Sequence, residues 1–165
     1  MDRFLRPMMP RRNFHSGASF KFVALFALFV GCGMPDVERV RRNDLTAAAE
    51  IFRGNIAAIH SRDTEAYLSY YLNSPDFVVA GPDSLRRGFV QFAEARRIDD
   101  EWPDTLMAGE LTLVWIAPGV VYGAYPYTVI VGGDSSKGWS ERLFVKVGGS
   151  WKIAITSVIS ASDNP

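Results

Sequence analysis

Apolar spacing predicts three helices in the first part of the folded chain. From Asp44, with Asn43 or Asp44 as the N-cap, apolar residues recur every three or four positions, the repeat of one helix face. These apolar positions are Leu45, Ala48, Ala49, Phe52, Ile56 and Ile59. Asp63 is a suitable N-cap for a second helix at 64–72, and "GFVQFAEARRI" predicts a third at about 88–98. Between the second and third, "PDFVVAG" (75–81) predicts a short strand.

The second half has the composition of long strands. Segments rich in β-branched and aromatic residues lie at 109–117, 119–131, 138–147 and 150–160. The turn sequences "PG", "GGDSSKG" and "GGS" separate them, which predicts an antiparallel meander. Pro126 lies inside the second segment and predicts a bulge or an edge position there. We therefore expect an α+β domain in which three helices cover one face of a strongly curved, mainly antiparallel sheet of one short and four long strands.

The beginning of the chain has the pattern of an export signal. A basic stretch precedes the nine-residue apolar run "FVALFALFV" (22–30), and Gly31, Cys32 and Gly33 follow. This run is much shorter than the roughly 20 apolar residues that a membrane-spanning helix needs. A short apolar segment between a basic stretch and small residues is typical of a signal peptide.

The residues "FVGC" (29–32) resemble the lipobox of bacterial lipoproteins. This resemblance implies that Cys32 becomes the first residue of the mature protein and carries acyl chains, which would hold it at a membrane. An ordinary secretory signal with an incidental cysteine is the alternative. We expect a signal peptide at 1–31, a polar lipidated tether at 32–43, a folded domain at 44–160 and a tail at 161–165. The implied location is the bacterial cell envelope, outside the cytoplasm.

Charge and ligand counts exclude several kinds of partner. Although the whole chain has 18 basic and 18 acidic side chains, residues 32–165 hold 13 of the basic and 17 of the acidic ones. A mildly acidic domain lacks the basic surface that binds nucleic acid. With a single cysteine, and His60 as the only histidine after the signal, no disulfide or His/Cys zinc cluster is expected. We predict no metal and no cofactor.

Two segments resemble the NTF2-like superfamily, in its SnoaL-like and ketosteroid-isomerase-like branch (DUF4440 type). They are "RDTEAYLSYYLNSPDFVVAGPDSLRRG" (62–88) and "ERLFVKVGGSWKIAITSVIS" (141–160). The resemblance covers 44–160 and implies a cone, in which the sheet curls around a pocket that the helices close. This fold hosts enzymes and pure binding proteins alike, so the function depends on the residues of the site.

The resemblance places three ketosteroid-isomerase positions at Asn55, Ala80 and Arg142. None of them carries the residue type of that family, and an alanine methyl group cannot accept a proton. The sequence therefore argues against that isomerase chemistry and leaves a polar pocket. Arg142 and Glu141 must lie on opposite faces of one strand, and the resemblance implies that Arg142 is the inward one. There it would bind an anion or pair with an internal acid.

Other candidates for the pocket have both functional and structural interpretations. Asn55 would bind a ligand or satisfy neighbouring backbone groups, and His60 would act as a base or stabilise the end of its helix. The aromatic candidates for the pocket wall are Tyr71, Trp115, Tyr125 and Tyr127. The acidic segment "IDDEWPD" (98–104) is interpreted as a solvated helix end and loop.

The sequence predicts a membrane-anchored domain that binds a small, partly apolar ligand. An inward arginine would favour an anionic one. Two alternatives remain open. One is an isomerase, cyclase or dehydratase related to the SnoaL-like and ketosteroid-isomerase-like proteins. The other is a homodimeric scaffold that pairs through the outer face of its sheet and has a vestigial pocket.

Overall fold

A computed structural model describes residues 34–99 and 101–160 of the chain. The described helices are α1 (Met34–Ser61), α2 (Thr64–Ser69) and α3 (Phe89–Ile98). The described strands are β1 (Val78–Ala80), β2 (Leu85–Arg87), β3 (Thr105–Ala108), β4 (Thr112–Ala117), β5 (Val120–Val131), β6 (Asp134–Val147) and β7 (Ser150–Ser160). The predicted α+β class is confirmed. The predicted signal peptide, the lipidation site Cys32 and the tail at 161–165 lie outside the described residues.

Helix α1 begins ten residues earlier than its apolar pattern predicts. Residues 36–43 have no apolar face, and the sequence analysis assigned them to a tether, but they are helical. Ion pairs between side chains three residues apart, Asp36 with Arg39 and Glu38 with Arg41, stabilise this exposed part of the helix. The predicted N-cap at Asn43 or Asp44 is therefore wrong. No described helix is long and apolar enough to cross a membrane.

The sheet has the strand order β2-β1-β7-β6-β5-β3, and β4 also pairs with β5. All pairs are antiparallel except β1 with β7, which run parallel. The predicted hairpins are confirmed: two-residue Gly-Gly turns with positive φ join β5 to β6 and β6 to β7. The first turn is shorter than predicted, because residues 134–138 of "GGDSSKG" already belong to β6. Strands β2 and β3 were not predicted, because three or four residues are too few to show an alternating pattern.

Pro126 lies in β5, where the sheet changes the partner of that strand. Residues 120–124 of β5 pair with β4, and residues 127–130 pair with β3. The Pro126 carbonyl accepts from the Gly109 amide, so the missing N–H of the proline faces the gap between these two partner strands. The expected edge position is thus met on one side of β5, while its pairing with β6 runs through Pro126 without a shift.

The core lies between α1 and the inner face of the sheet. Its buried residues are Ala48, Tyr71, Phe77, Val121, Phe144 and Ile153. Asp44 fixes the helix to the sheet, because its carboxylate accepts from the Trp115 indole at 3.0 Å and from the Gly119 amide at 2.8 Å. This attachment sets the helix over the strands that carry the site described next.

Candidate functional site

Arg142 lies in the middle of β6 and points into the domain, as the sequence predicted. Its side chain is 6% exposed, and its cross-strand neighbours are Gly123 and Thr156. One terminal nitrogen, Nη1, donates to the Ser140 hydroxyl at 2.6 Å and also to the Thr156 hydroxyl. The other, Nη2, donates to the Tyr125 hydroxyl at 3.0 Å. Nη1 also donates to the Glu141 carbonyl at 3.0 Å. The guanidinium is therefore held by neutral acceptors, which include hydroxyl groups on three adjacent strands.

No carboxylate neutralises this guanidinium within the described residues. The ion pairs found there involve other arginines: four lie at the surface, and the fifth joins the largely buried Arg96 to the exposed Asp99 at 3.9 Å. Burial opposes the charge, whereas three surrounding tyrosines favour it, and the pKa of Arg142 is raised from its ordinary value. These tyrosines are Tyr67, Tyr71 and Tyr125. Burying an unpaired charge is costly, so an arginine in this state is a candidate ligand-binding group.

Asn55 adds a second unsatisfied polar group to the same interior. It lies on the sheet-facing side of α1 and is 1% exposed. Neither its amide nitrogen nor its amide oxygen has a hydrogen-bond partner among the described residues. The amide still lies near enough to Tyr71 to oppose the rise in the pKa of that tyrosine. A fully buried amide with both atoms free is rare in folded proteins.

Two tyrosines from α2 and the turn after it face the same interior. The Tyr71 hydroxyl donates to the Tyr67 hydroxyl at 2.8 Å. Burial raises the pKa of both phenols, so each keeps its proton at neutral pH. The Tyr67 proton has no acceptor among the hydrogen bonds of the described residues. Tyr67 is thus a free donor at the end of a short chain of hydroxyl groups.

We call these residues the Arg142 cluster. Its members are Asn55, Tyr67, Tyr71, Tyr125, Ser140, Arg142 and Thr156. The cluster has free donors on Arg142 Nε, the Asn55 amide and the Tyr67 hydroxyl, but no carboxylate or imidazole among its members. Such an arrangement can bind an oxyanion and can stabilise negative charge on oxygen. It contains no group that would act as a general base at neutral pH.

Aromatic rings fill the space around the cluster. Phe52 packs against Tyr125 with ring centroids 4.7 Å apart, and Tyr71 packs against Phe92 at 5.2 Å. Trp102 is 9% exposed and lies 5.6 Å from the Tyr67 ring. The interpretation of 98–104 as a solvated helix end and loop is therefore wrong for the Trp102 side chain.

The expected open hollow in front of residues 55 and 142 is not among the described cavities. Surface depressions of about 500, 410, 240, 370 and 160 Å³ were found, and neither Asn55 nor Arg142 lines any of them. Two of them reach the edge of the cluster: Tyr71 forms part of the lining of the 500 Å³ depression, and Tyr67 lines the 160 Å³ depression together with Trp102. In this conformation these two tyrosines of the cluster reach surface depressions, whereas Asn55 and Arg142 do not.

Four of the predicted pocket residues lie elsewhere. His60 is exposed, and its Nε2 lies 2.9 Å from the Leu106 carbonyl, which ties the end of α1 to β3. Ala80 is on the outer face, since it pairs with Ser157 while Phe77 and Val79 point into the core. The inward position of β1 is therefore Val79. The ketosteroid-isomerase position that the resemblance places at Ala80 is thus wrong by one residue.

Trp115 and Tyr127 are the other two residues placed away from the cluster. The Trp115 indole is engaged by Asp44 and packs on the core, so it attaches α1 to the sheet. Tyr127 is buried on the same face as Tyr125, but it lines a separate depression with Pro126 and Trp139. Asn55, Tyr71, Tyr125 and Arg142 are the predicted residues that the fold brings together.

Sequence reasoning missed Ser140, Thr156 and Trp102. Ser140 could have been predicted from the sequence, because it lies two residues from Arg142 on one strand and therefore shares its face. Thr156 depends on the register of β6 with β7, which the turn alone does not fix, since β7 carries a bulge near Ile153. Within residues 34–99 and 101–160, no three acidic, histidine or cysteine side chains are grouped as a metal site.

Comparisons with solved structures identify the fold. The chain is similar to an NTF-2-like protein of unknown function from Shewanella oneidensis, with 16% identity, a TM-score of 0.61, and coverage of 71% of this chain and 97% of that one. It is similar to a putative scytalone dehydratase from Novosphingobium aromaticivorans, with 10% identity, a TM-score of 0.61, and coverage of 75% and 88%. A putative ketosteroid isomerase from Parabacteroides distasonis has 13% identity, a TM-score of 0.59, and coverage of 70% and 88%.

No family model matches the chain, and no curated protein matches it either. The three structures named above are far below the identity at which function is shared, so they show the fold alone. The predicted NTF2-like fold is confirmed: a curved, mainly antiparallel sheet covered by helices on its inner side.

Proposed function

We propose that this NTF2-like domain binds a small organic anion in its interior, with Arg142 as the anion-binding group. The observation that carries the proposal is a buried guanidinium without a carboxylate partner beside a buried amide without any partner. A carboxylate or other oxyanion would accept from the free Arg142 Nε, and the Asn55 amide would provide a second donor. Binding would then remove the penalty of both unsatisfied groups.

Binding without catalysis fits this cluster better than isomerase chemistry. Proton transfer between carbon atoms needs a base, and the cluster offers neutral tyrosines, hydroxyl groups and a permanent cation. Two structural relatives carry enzyme names, putative scytalone dehydratase and putative ketosteroid isomerase, which supports a small-molecule site in this fold. An enzyme that only stabilises an oxyanion on its substrate remains the catalytic version of the proposal.

The test is to identify what the protein carries when it is purified from its own host. Native mass spectrometry should detect a bound small acid on the wild type and none on Arg142→Met. Truncating one partner of a buried charged contact costs about 2 kcal/mol or more, which is roughly a thirtyfold loss of affinity. Arg87→Met is the matched control, since Arg87 is exposed. A neutral ligand retained equally by both variants would contradict the proposal.

We also propose that the protein is anchored in the bacterial cell envelope through Cys32, outside the cytoplasm. The support is the sequence alone: a basic segment, a short apolar run and "FVGC" at 29–32. Intact mass of the membrane fraction should show a chain that begins at Cys32 with added acyl mass. A Cys32→Ser variant should lose both the acyl mass and the membrane association. A mature wild-type chain without acyl mass would exclude the anchor.

A homodimeric scaffold is the second candidate, and one feature of the sheet favours it. Large apolar side chains are exposed on the outer face: Val114, Ile116, Trp139, Ile155 and Ile159. An apolar sheet face of this kind is typical of a protein interface. Analytical ultracentrifugation distinguishes the cases, since Trp139→Lys should convert a dimer to a monomer and should leave a monomer unchanged.

A further inference from the structure

Trp102 is an unusual side chain to find next to the Arg142 cluster. Its indole is buried, but the indole N–H has no hydrogen-bond acceptor among the described residues. A buried indole normally finds a partner for this group. The Arg96 guanidinium lies over the ring, 3.8 Å from its centroid, and the Nε of Arg96 is also buried without a partner. No hydrogen bond of the indole N–H therefore holds the ring in place.

Trp102 lies between a surface depression and the ring of Tyr67, at the edge of the Arg142 cluster. On one side it lines the 160 Å³ depression together with Arg96, Pro103 and Leu106. On the other side its ring meets Tyr67 edge-on, at 86°. The Tyr67 hydroxyl in turn accepts from Tyr71, and Tyr67 lies close enough to Arg142 to feel its charge. One path from solvent towards the guanidinium therefore passes first the indole of Trp102 and then the ring of Tyr67.

Arg96 also binds the backbone next to Trp102. This side chain donates to the Glu101 carbonyl from both terminal nitrogens, at 3.0 and 3.1 Å. Arg96 thus binds the residue before Trp102 and covers the indole at the same time. A ring that replaced the indole would keep the contact with the Arg96 cation, since any flat aromatic face attracts a guanidinium.

We propose that the ligand is an aromatic anion whose ring takes the place of the Trp102 indole between Arg96 and Tyr67, while its oxyanion binds Arg142. This inference rests on the anion site proposed above and adds the ligand class. Trp102 acts as an internal substitute for the ring of the ligand and keeps the cluster dry when no ligand is bound. A ring lets the ligand bridge the depression and the cluster, whereas a small acid would fill only the inner part.

The experiment removes the Trp102 indole and tests which small molecules bind in the space that it leaves. Trp102→Gly of the full chain is titrated calorimetrically with acetate, indole and indole-3-acetate, which supply the charge, the ring and both. We expect indole-3-acetate to bind at least about tenfold more tightly than either of the others, as a charge-assisted contact adds to ring burial. Adding Arg142→Met should remove this advantage and leave the affinity for indole unchanged. Trp139→Gly, at an exposed tryptophan, should bind none of the probes.

The outcomes separate the two proposals. Acetate binding that depends on Arg142, with no gain for indole-3-acetate, would overturn the aromatic ligand and keep the anion site. Equal binding of indole and indole-3-acetate, with no acetate binding, would overturn the anion site and the inference with it.

A second measurement uses the protein without substitution, in case Trp102→Gly does not fold. The chain has four tryptophans, so 5-fluorotryptophan labelling gives a small set of ¹⁹F resonances. The Trp102 resonance, assigned by its loss in Trp102→Phe, should shift to a solvent-exposed position when indole-3-acetate is added. A Trp102 resonance that stays in place at saturating indole-3-acetate would overturn the proposal.

Discussion

Glu141 and Arg142 are adjacent in β6 but do not pair, because their side chains lie on opposite faces of the sheet. The Glu141 carboxylate accepts from Tyr122 at 2.7 Å and from Ser157 at 2.8 Å on the outer face. The Arg142 guanidinium lies inside, among hydroxyl groups. Because side chains alternate between the two faces of a strand, the Glu141 carboxylate cannot neutralise the Arg142 guanidinium. On a flexible chain these neighbouring groups would be free to form an ion pair. The interior keeps an unpaired positive charge as a result.

Removing that charge should not weaken the fold. We expect the free energy of unfolding of Arg142→Met, from urea denaturation, to equal or exceed that of the wild type, because the desolvation penalty of the guanidinium disappears. Tyr125→Phe should cost about 1–3 kcal/mol, since it leaves the charge with one acceptor fewer. In the double variant this cost of Tyr125→Phe should shrink. An Arg142→Met variant that loses 3 kcal/mol or more would show that the arginine is structural.

Asn55, like Arg142, should lower the stability of the fold while it contributes to ligand binding. Asn55→Leu replaces a buried, unpartnered amide by an apolar side chain of similar size, so the free energy of unfolding should rise by about 1 kcal/mol or more. The variant should also bind the anion more weakly than the wild type. Asn73→Leu, at an exposed asparagine, is the control and should change neither quantity. A destabilised Asn55→Leu would mean that the amide has a structural partner.

Asp44 should be important for stability. Asp44→Ala removes the acceptor of the Trp115 indole and of the Gly119 amide. Hydrogen bonds to a charged group contribute about 1.5–3 kcal/mol each, so a loss of at least about 2 kcal/mol is expected in thermal or urea unfolding. Asp44→Asn keeps an oxygen acceptor and should lose less. Equal losses for the two variants would indicate that the carboxylate charge, and not the acceptor geometry, carries the effect.

Glu141 should make the stability of the fold depend on pH in the acid range, because its pKa lies below that of an ordinary glutamate. The Tyr122 hydroxyl first, and then the Ser157 hydroxyl, lower the pKa of Glu141 from 4.5. A lowered pKa in the fold stabilises the protein at every pH above 4.5, and this contribution is lost as the pH falls through the lowered value. Unfolding midpoints measured from pH 7 to pH 3 should therefore fall more steeply for the wild type than for Glu141→Gln.

Tyr122→Phe is the second arm of this test. It removes the main cause of the shift and should flatten the acid side of the profile almost as much as Glu141→Gln does. Glu110→Gln, at an exposed glutamate, should leave the profile unchanged. A wild type and a Glu141→Gln variant with parallel profiles would contradict the role assigned to this carboxylate.

The sequence by itself determined the fold class and the order of the main elements, and its resemblance to the NTF2-like superfamily implied the inward direction of Arg142. Spacing of three and four fixed the helix face from Leu45 to Ile59, and the Gly-Gly pairs fixed the two hairpins, because these are local properties of the backbone. The start of α1 could not be predicted in this way, since its first turns are stabilised by ion pairs and have no apolar stripe.

Only the tertiary structure decided which polar groups share the interior. Asn55, Tyr67 and Thr156 come from two helices and a strand far apart in the chain, and no local pattern encodes their meeting at Arg142. The position of Ala80 depends on a parallel pairing with β7, where a slip of one residue exchanges the two faces of a strand. The burial of Trp102 depends on its contacts with Arg96 and Tyr67, whereas its acidic neighbours in the sequence predict an exposed loop.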